Sequence, residues 1–338
     1  MSYPSAAFSV TLDGKDVTNK IYSRLVSLSL TESREDQADQ LNITIDDSDG
    51  RVAIPSKGVK IDLLLGWKNV GMVDKGTFIV DEVEYCGAPD TLVLRARSAA
   101  MKTPLRIRKE RSWHQQPIAA IVNQIAKENG LKPRIGDFPN LTVDHIDQTN
   151  ESDLNFIKRL GKRFDAVATI KKDSLLFLPN SHAVNSKGES LPTVTLYRKD
   201  GDRHRYHSAD RDAYSGVCAY WHEPEKAKRT SAVAGSKSNA KRLRETYANE
   251  ADAKAAAQAE WQRIQRGEAT FEYTLALGRA DLMPMTTVFF PAFKKPISDT
   301  EWQIIKCTHN VAPGGFTTQI ELETKGQFLD EVDTETTE

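Results

Sequence analysis

Between residues 7 and 97 apolar and polar side chains alternate in short runs, FSVTL, IYSRLVSLSL, LNITI, VKIDLLLGW, GTFIVDEV and TLVLRA, separated by turn-forming residues. A period of two predicts strands with one buried face. Asp13-Gly14 and Asp49-Gly50 tolerate positive φ at two of the breaks, as tight turns require. About six strands in so short a stretch predict a small barrel or sandwich.

From 112 to 164 the period lengthens. Pro117 stands at a first helical position, Ile118, Ile121, Val122 and Ile125 follow at helical spacing, and Gly130 ends the run. A second helix is expected to open at Asn150, whose side chain would cap the amide of Asp153, with Leu154, Ile157 and Leu160 on one stripe. The two are expected to pack as a helical pair. AVATIKK and SLLFLP then predict a hairpin turning near Lys172-Asp173 and closing at Pro179, which makes residues 105–180 an α/β segment.

Strand character returns over 192–222, ending in YSGVCAYWH from Tyr214 to His222. The basic, weakly apolar stretch 224–244 reads as a loop, and Asn249 with Asp252 caps a helix over 249–266 that carries Ala253, Ala257, Trp261 and Ile264. FEYTLAL, TTVFF, EWQIIKCTHNV and FTTQIELE are further strands, and the acidic end, 329–338, reads as an unstructured tail. The expected fold is α+β and mainly β: a first small β-barrel domain over 1–104, the α/β segment, and a second over 181–328.

Laying Phe78 on Trp302 brings FIVDEVEYCGAPDTLVLRARS against WQIIKCTHNVAPGGFTTQIEL without a gap, with Ala88-Pro89 on Ala312-Pro313. Val80 then matches Ile304, Leu92 matches Phe316 and Ala96 matches Ile320, so both hairpins bury the same parity. This pattern points to an internal duplication.

Composition narrows the function classes. Hydrophobic residues make up 39% and charged residues 28%, as in ordinary globular chains. Lys plus Arg number 46 against 47 acidic residues, so a formal net charge of -1 supplies no global field for nucleic acid or an anionic membrane. The start, MSYPSAAFSVTLDGKDV, lacks a secretory pattern, and no apolar run approaches the roughly 20 residues of a membrane span. Cys86, Cys218 and Cys307 lack close pairing, in keeping with synthesis in a reducing cytoplasm.

Candidate chemistry is sparse. His204, His207, Cys218 and His222 are donor types that zinc prefers, yet residues three apart on a strand point to opposite faces, so the set is not expected to converge. No GxSxG, HExxH, GxxxxGK[ST] or GxGxxG occurs, which removes the commonest specific signatures of hydrolases and nucleotide enzymes. RIRKER (Arg106 to Arg111) and 224–244 could meet phosphates, but without interleaved aromatics a solvated surface or protein contact is the better reading. The five tryptophans read as packing anchors.

The run HIDQTNESDLNFIKRLGKRFDAVATIKKDSLLFLP resembles the central signature of the late control gene D family of phage hub proteins, related to the N-terminal part of VgrG spike proteins. Gln148, Asn150, Glu151, Ser152, Asp153, Leu154, Phe156, Arg159 and Leu160 match it, and IAKENGLKPRI fits the segment upstream, while Gly161 stands where Ala is common. The resemblance implies a non-enzymatic, homotrimeric baseplate hub of a contractile phage or R-type pyocin tail, with two tail-tube-like β-barrel domains per chain. Such a hub joins a six-fold tail tube to a three-fold central spike. Its implied partners are further copies of itself, the spike, tube or tube-initiator subunits and other baseplate or tape-measure proteins, with no cofactor, small-molecule substrate or specific nucleic acid. It would assemble in the bacterial host cytoplasm into the tail particle. The rival from another class is a tail-associated peptidoglycan-degrading enzyme.

Overall fold

The computed structural model describes residues 4–34, 38–98, 103–136, 138, 142–171, 173–180, 191–209, 214–223, 228–325 and 333–336. The alternating first region forms β1 (Ala6–Leu12), β2 (Lys15–Asp16), β3 (Leu25–Ser33), β4 (Gln40–Asp46), β5 (Lys60–Trp67), β6 (Gly71–Cys86) and β7 (Thr91–Ser98). A short helix, α1 (Thr18–Tyr22), takes Ile21 and Tyr22 out of the strand that alternation alone predicts. Asp13 and Gly14 both adopt positive φ, and so does Gly50. Phe8, Leu28, Leu41, Ile61, Leu63 and Phe78 lie at the centre of this region's core, each on the inward parity of its strand.

The middle region contains β8 (Arg108–Pro117), α2 (Ile118–Glu128), β9 (Lys132–Ile135), β10 (Thr142–Ser152), α3 (Asp153–Arg163), β11 (Ala166–Lys171) and β12 (Ser174–Pro179). Pro117 precedes the first helical residue of α2, and Gly130 adopts φ 63° just past its end. The helices do not form the isolated pair expected from periodicity. A two-stranded ribbon of β8 and β10 and a three-stranded sheet, β11-β12-β9, share their core. The second helix is capped two residues later than expected: Ser152 Oγ accepts from the Asn155 amide at 3.3 Å, while Asn150 occupies a bulge at φ 48°. Leu154 is only partly buried, and Phe156 joins Ile157 and Leu160 on the inward stripe. Gly161 has a packing reason, since a Cβ there would stand 2.7 Å from the Ala166 carbonyl of β11. Asp173 turns the β11-β12 hairpin at φ 57°, and Lys172 lies outside the described residues.

The last region comprises β13 (Val194–Thr195), β14 (Gly201–Ser208), β15 (Gly216–Glu223), β16 (Lys228–Gly235), β17 (Ala240–Tyr247), α4 (Glu250–Arg266), β18 (Ala269–Leu275), β19 (Thr287–Phe289), α5 (Lys295–Ser298), β20 (Trp302–Ala312), β21 (Gly315–Thr324) and β22 (Asp333–Thr336). Asn249 caps α4 as expected, accepting from the Asp252 amide at 2.8 Å. The expected loop at 224–244 is instead largely two strands. β16 pairs antiparallel with β15, and β17 pairs parallel with β15. Ala232 and Ala234 are buried against Ala253 and Ala257 of α4, where small side chains let helix and sheet pack closely, and Ser231 and Val233 are buried on the other face of the strand. The polar flanks lower the mean hydropathy of the stretch without solvating this run. Of the acidic end, 329–332 and 337–338 lie outside the described residues, while Asp333–Thr336 is not an unstructured tail but the strand β22, paired antiparallel with β16 in a backbone ladder that needs no apolar stripe.

The two outer β regions are continuous. A 13-stranded sheet runs β14-β18-β21-β20-β3-β4-β7-β6-β5-β1-β2, with β19 and β13 branching from β20. Within it one strand order occurs twice, β3-β4-β7-β6-β5-β1 and β14-β18-β21-β20-β19-β13, with equivalent strands in the same chain order. β15 to β17 and α4 are inserted in the second unit only. The units differ in one pairing, since β13 runs parallel to β19 whereas β1 runs antiparallel to β5. Bulges recur at equivalent places: Val80/Glu82 and Ile304/Lys306, then Leu25/Ser27 and Gly201/Arg203. The gap-free alignment requires one correction. Val80 pairs with Ala96 but Ile304 pairs with Leu322, so beyond the turn the equivalent of Ala96 is Leu322, not Ile320. A two-residue shift preserves inward parity, which is why alternation conceals it.

Candidate functional site

The family-like motif folds into a clasp around one carboxylate. β10 approaches α3 through the bulge between Gln148 and Glu151, and this turns Asp153, the first helical residue, fully away from solvent. Period-two spacing on β8 places Lys109 and Arg111 on the same side of the ribbon, facing it. Arg111 Nη2 donates to Asp153 Oδ1 at 2.7 Å and Lys109 Nζ to Oδ2 at 2.7 Å. Gln148 Nε2 and Asn129 Nδ2 donate at 3.0 and 2.9 Å, while Gln148 Oε1 accepts from Arg111 Nε at 2.7 Å. The N-terminus of α3 adds its own favourable field. Glu128, at the end of α2, accepts from Lys109 at 2.9 Å and Arg111 at 2.8 Å, so four elements converge on two cations.

The rest of the motif braces this clasp. Arg159 donates to Glu151 at 2.8 Å and to the Asp147 carbonyl at 2.6 Å, tying α3 back to β10. Its guanidinium covers the buried Phe156 ring at 5.2 Å. Burial pushes the Asp153 carboxyl up, but the hydrogen bonds from Gln148, Lys109 and Asn129 and the Arg111 charge outweigh it and hold the group below the usual carboxylate range. Burial is likewise outweighed at Glu128 by Gln124, Lys109 and Arg111, which hold it at about 2. Depressed carboxylates contribute stability that is complete above the unfolded value of about 4 and lost as pH falls through the folded one. The clasp's contribution to the thermal midpoint, followed by circular dichroism, is therefore expected to be constant from neutrality to about pH 5 and to fall steeply below about pH 4. In Glu128→Gln the midpoint starts lower and the acid slope is shallower; an unchanged slope would remove Glu128 from this account.

A second polar cluster lies where the two β units meet. Glu32 of β3 accepts from Lys75 of β6 at 2.6 Å and contacts His309 of β20 at 3.2 Å, and the other ring nitrogen of His309 meets Thr318 at 2.9 Å. Burial alone would raise Glu32; the Lys75 charge and the His309 contact overcome it and lower the group. His309 is pushed down by its own burial. A third cluster unites all regions of the chain. Arg266 at the end of α4 forms a double ion pair with Asp165 and reaches Glu323 at 3.1 Å, and Glu323 also accepts from Arg34 at 2.6 Å.

The sequence-level alternatives separate in space. His204 and His207 lie on β14 while Cys218 and His222 lie on β15, in another sheet, and His204 packs its ring against Phe293 at 5.4 Å. Among the described residues no group of three or more His, Cys, Asp or Glu is placed to hold a metal ion. RIRKER is not a free basic patch, because Lys109 and Arg111 are the cations of the clasp. Sequence reasoning found the motif but not these two partners. Their signal was present, as alternation in Lys109-Glu110-Arg111-Ser112-Trp113, with Arg111 over the Trp113 ring at 4.7 Å. Among the described residues no helix is long and apolar enough to cross a membrane.

Comparison with known proteins accords with this architecture. The chain is 41% identical to a protein of Escherichia phage 186 named a probable baseplate hub protein, over 94% of this chain and 93% of that one. A protein of the same name in Escherichia phage P2 is 38% identical over 97% and 95%. The crystal structure of a tail protein from Neisseria meningitidis MC58 shares the fold with a TM-score of 0.70 at 13% identity, covering 94% of this chain and 96% of that one. The model of the phage tail baseplate hub (GPD) family matches residues 67–314, which contain the clasp and strand β20, and the chain belongs to that family.

Proposed function

We propose that this hub works as a homotrimeric adaptor between a six-fold tail tube and a three-fold central spike. The observation that carries the reading is the strand order repeated within one chain: three copies present six equivalent β units on one side while keeping three-fold symmetry on the other. Function is then interface complementarity rather than bond making. The β3-β20 ladder and the buried clusters around Glu32 and Arg266 fix how the units sit, so that strand edges and loops are presented in register to tube and spike. The relatives named above are called probable baseplate hub proteins, which is in keeping with a role without catalysis. Light scattering of the chain co-purified with its spike is expected to give three hub copies per complex. A complex with one, two or four copies would overturn the adaptor.

A further inference from the structure

The internal repeat identifies an edge that is filled once and left open once. In the second unit Ile304 exchanges backbone hydrogen bonds with Thr286 and Met285 at 3.0 and 2.8 Å, and from Lys306 onward the same edge of β20 is occupied by β3. In the first unit the equivalent Val80 exchanges the equivalent bonds with Val59 and Gly58 at 3.0 and 2.8 Å. From Asp81 onward, that edge of β6 has no backbone partner among the described residues. The strand equivalent to β3 is β14, which among the described residues pairs with β18 alone and leaves its outer edge bare. Each chain thus carries one open edge of each kind.

We infer that β14 of one copy adds antiparallel to the open edge of β6, residues 81–86, of a second copy, repeating between chains the β3-β20 joint found within the chain. The inference rests on the trimeric reading and specifies its contact. The matching bulges determine the register. Since β6 maps to β20 with Val80 on Ile304, and β3 maps to β14 with Ser27 on Arg203, the Leu30–His309 pair becomes Tyr206 opposite Tyr85. Leu30 and His309 are both 0% exposed, whereas Tyr206 and Tyr85 are 38% and 47% exposed, as rings lacking their cross-strand partners would be. On the other face Glu84 comes opposite His207 and diagonal to Arg205, and Cys86 comes opposite Arg205. Within each chain Glu84 already bonds Arg95 at 2.7 Å and Arg205 bonds Glu272 at 3.3 Å, so the contact would extend two short ion pairs into one alternating ladder. Strand addition at an exposed edge is an established mode of recognition, and a head-to-tail contact between unlike edges closes into a ring where its rotation permits. Charges on a bare edge also deter unwanted pairing, but that role requires neither opposite signs nor paired aromatics in the carried-over register.

The native Cys86 thiol, exposed and unpaired, makes a direct test. Directly opposite residues bring Cβ atoms to about 4.5–5.5 Å, near the span a disulfide bridges. Full-length Arg205→Cys protein, mildly oxidised, is expected to form intermolecular disulfides that disappear with Cys86→Ser. Arg203→Cys, two residues out of register on the same face, is expected to cross-link far less. Light scattering on the same samples separates the possibilities. A trimer in which neither variant cross-links, or in which Arg203→Cys does so better, overturns the edge pairing and leaves the adaptor standing. Cross-linking as expected, but into open chains beyond three copies, upholds the pairing and overturns the trimer. A strict monomer that does not cross-link overturns both.

Discussion

Asp153→Ala is expected to cost about 3–5 kcal/mol of folding stability, read as a fall of roughly 10 °C or more in the thermal midpoint of the transition that contains the α/β region. The magnitude follows from what stays behind. Lys109 and Arg111 each bond Asp153 at 2.7 Å, and among the described residues only the solvent-exposed Glu128 would remain to balance two cations. Gln148 and Asn129 would also lose an acceptor inside the fold, which adds the desolvation cost of unsatisfied polar groups. Asp153→Asn keeps the shape and one acceptor, so it is expected to fall between wild type and alanine. Arg111→Met combined with Asp153→Asn is expected to recover part of the loss, because the pair is then removed together rather than broken. A loss below about 1 kcal/mol in Asp153→Ala would show that the clasp is replaceable and that the motif is retained for some other reason.

The legible part of this fold is the part governed by period. Alternation locates β3 to β7 and the closing strands, and helical spacing locates α2 and α4 with their caps. The family-like motif locates the clasp because its residues lie close together, from Gln148 to Leu160. Its cations lie some forty positions earlier, Lys109 being 44 residues from Asp153, and nothing local ties them to a carboxylate on another element. Mean hydropathy fails at β16, where the short buried run Ser231 to Ala234 is outweighed by the polar and basic residues around it. The duplication is visible as parity while its register is not, because a two-residue shift leaves every side chain on the same face. The continuity of the sheet, made by β3 on β20, is a pairing between residues some 280 positions apart, which no period in the chain encodes.

Arg266→Met should destabilise the protein by about as much as Asp153→Ala, about 3–5 kcal/mol, but through a different set of contacts. Arg266 is 6% exposed and connects the end of α4 to Asp165, which follows α3, and to Glu323 on β21. Methionine fills much of the space without supplying charge, so the penalty comes from the two carboxylates. Among the described residues Asp165 would keep only the Asn180 amide at 2.9 Å, and Glu323 would keep Arg34 at 2.6 Å. Asp165 is thus the more exposed to loss, and Asp165→Asn in the Arg266→Met background is expected to restore about 1–3 kcal/mol. The same Asp165→Asn change alone should destabilise, so the sign of its effect reverses with the partner present. A chain of this size need not unfold in one step, and the cluster joins the middle region to both β units, so the variant is also expected to separate one transition into two in calorimetry. If Arg266→Met melts in a single transition at the wild-type midpoint, the ion cluster does not hold the regions together, and their relative placement depends on the β3-β20 ladder and on pairs such as Lys171–Asp39 and Arg163–Asp252.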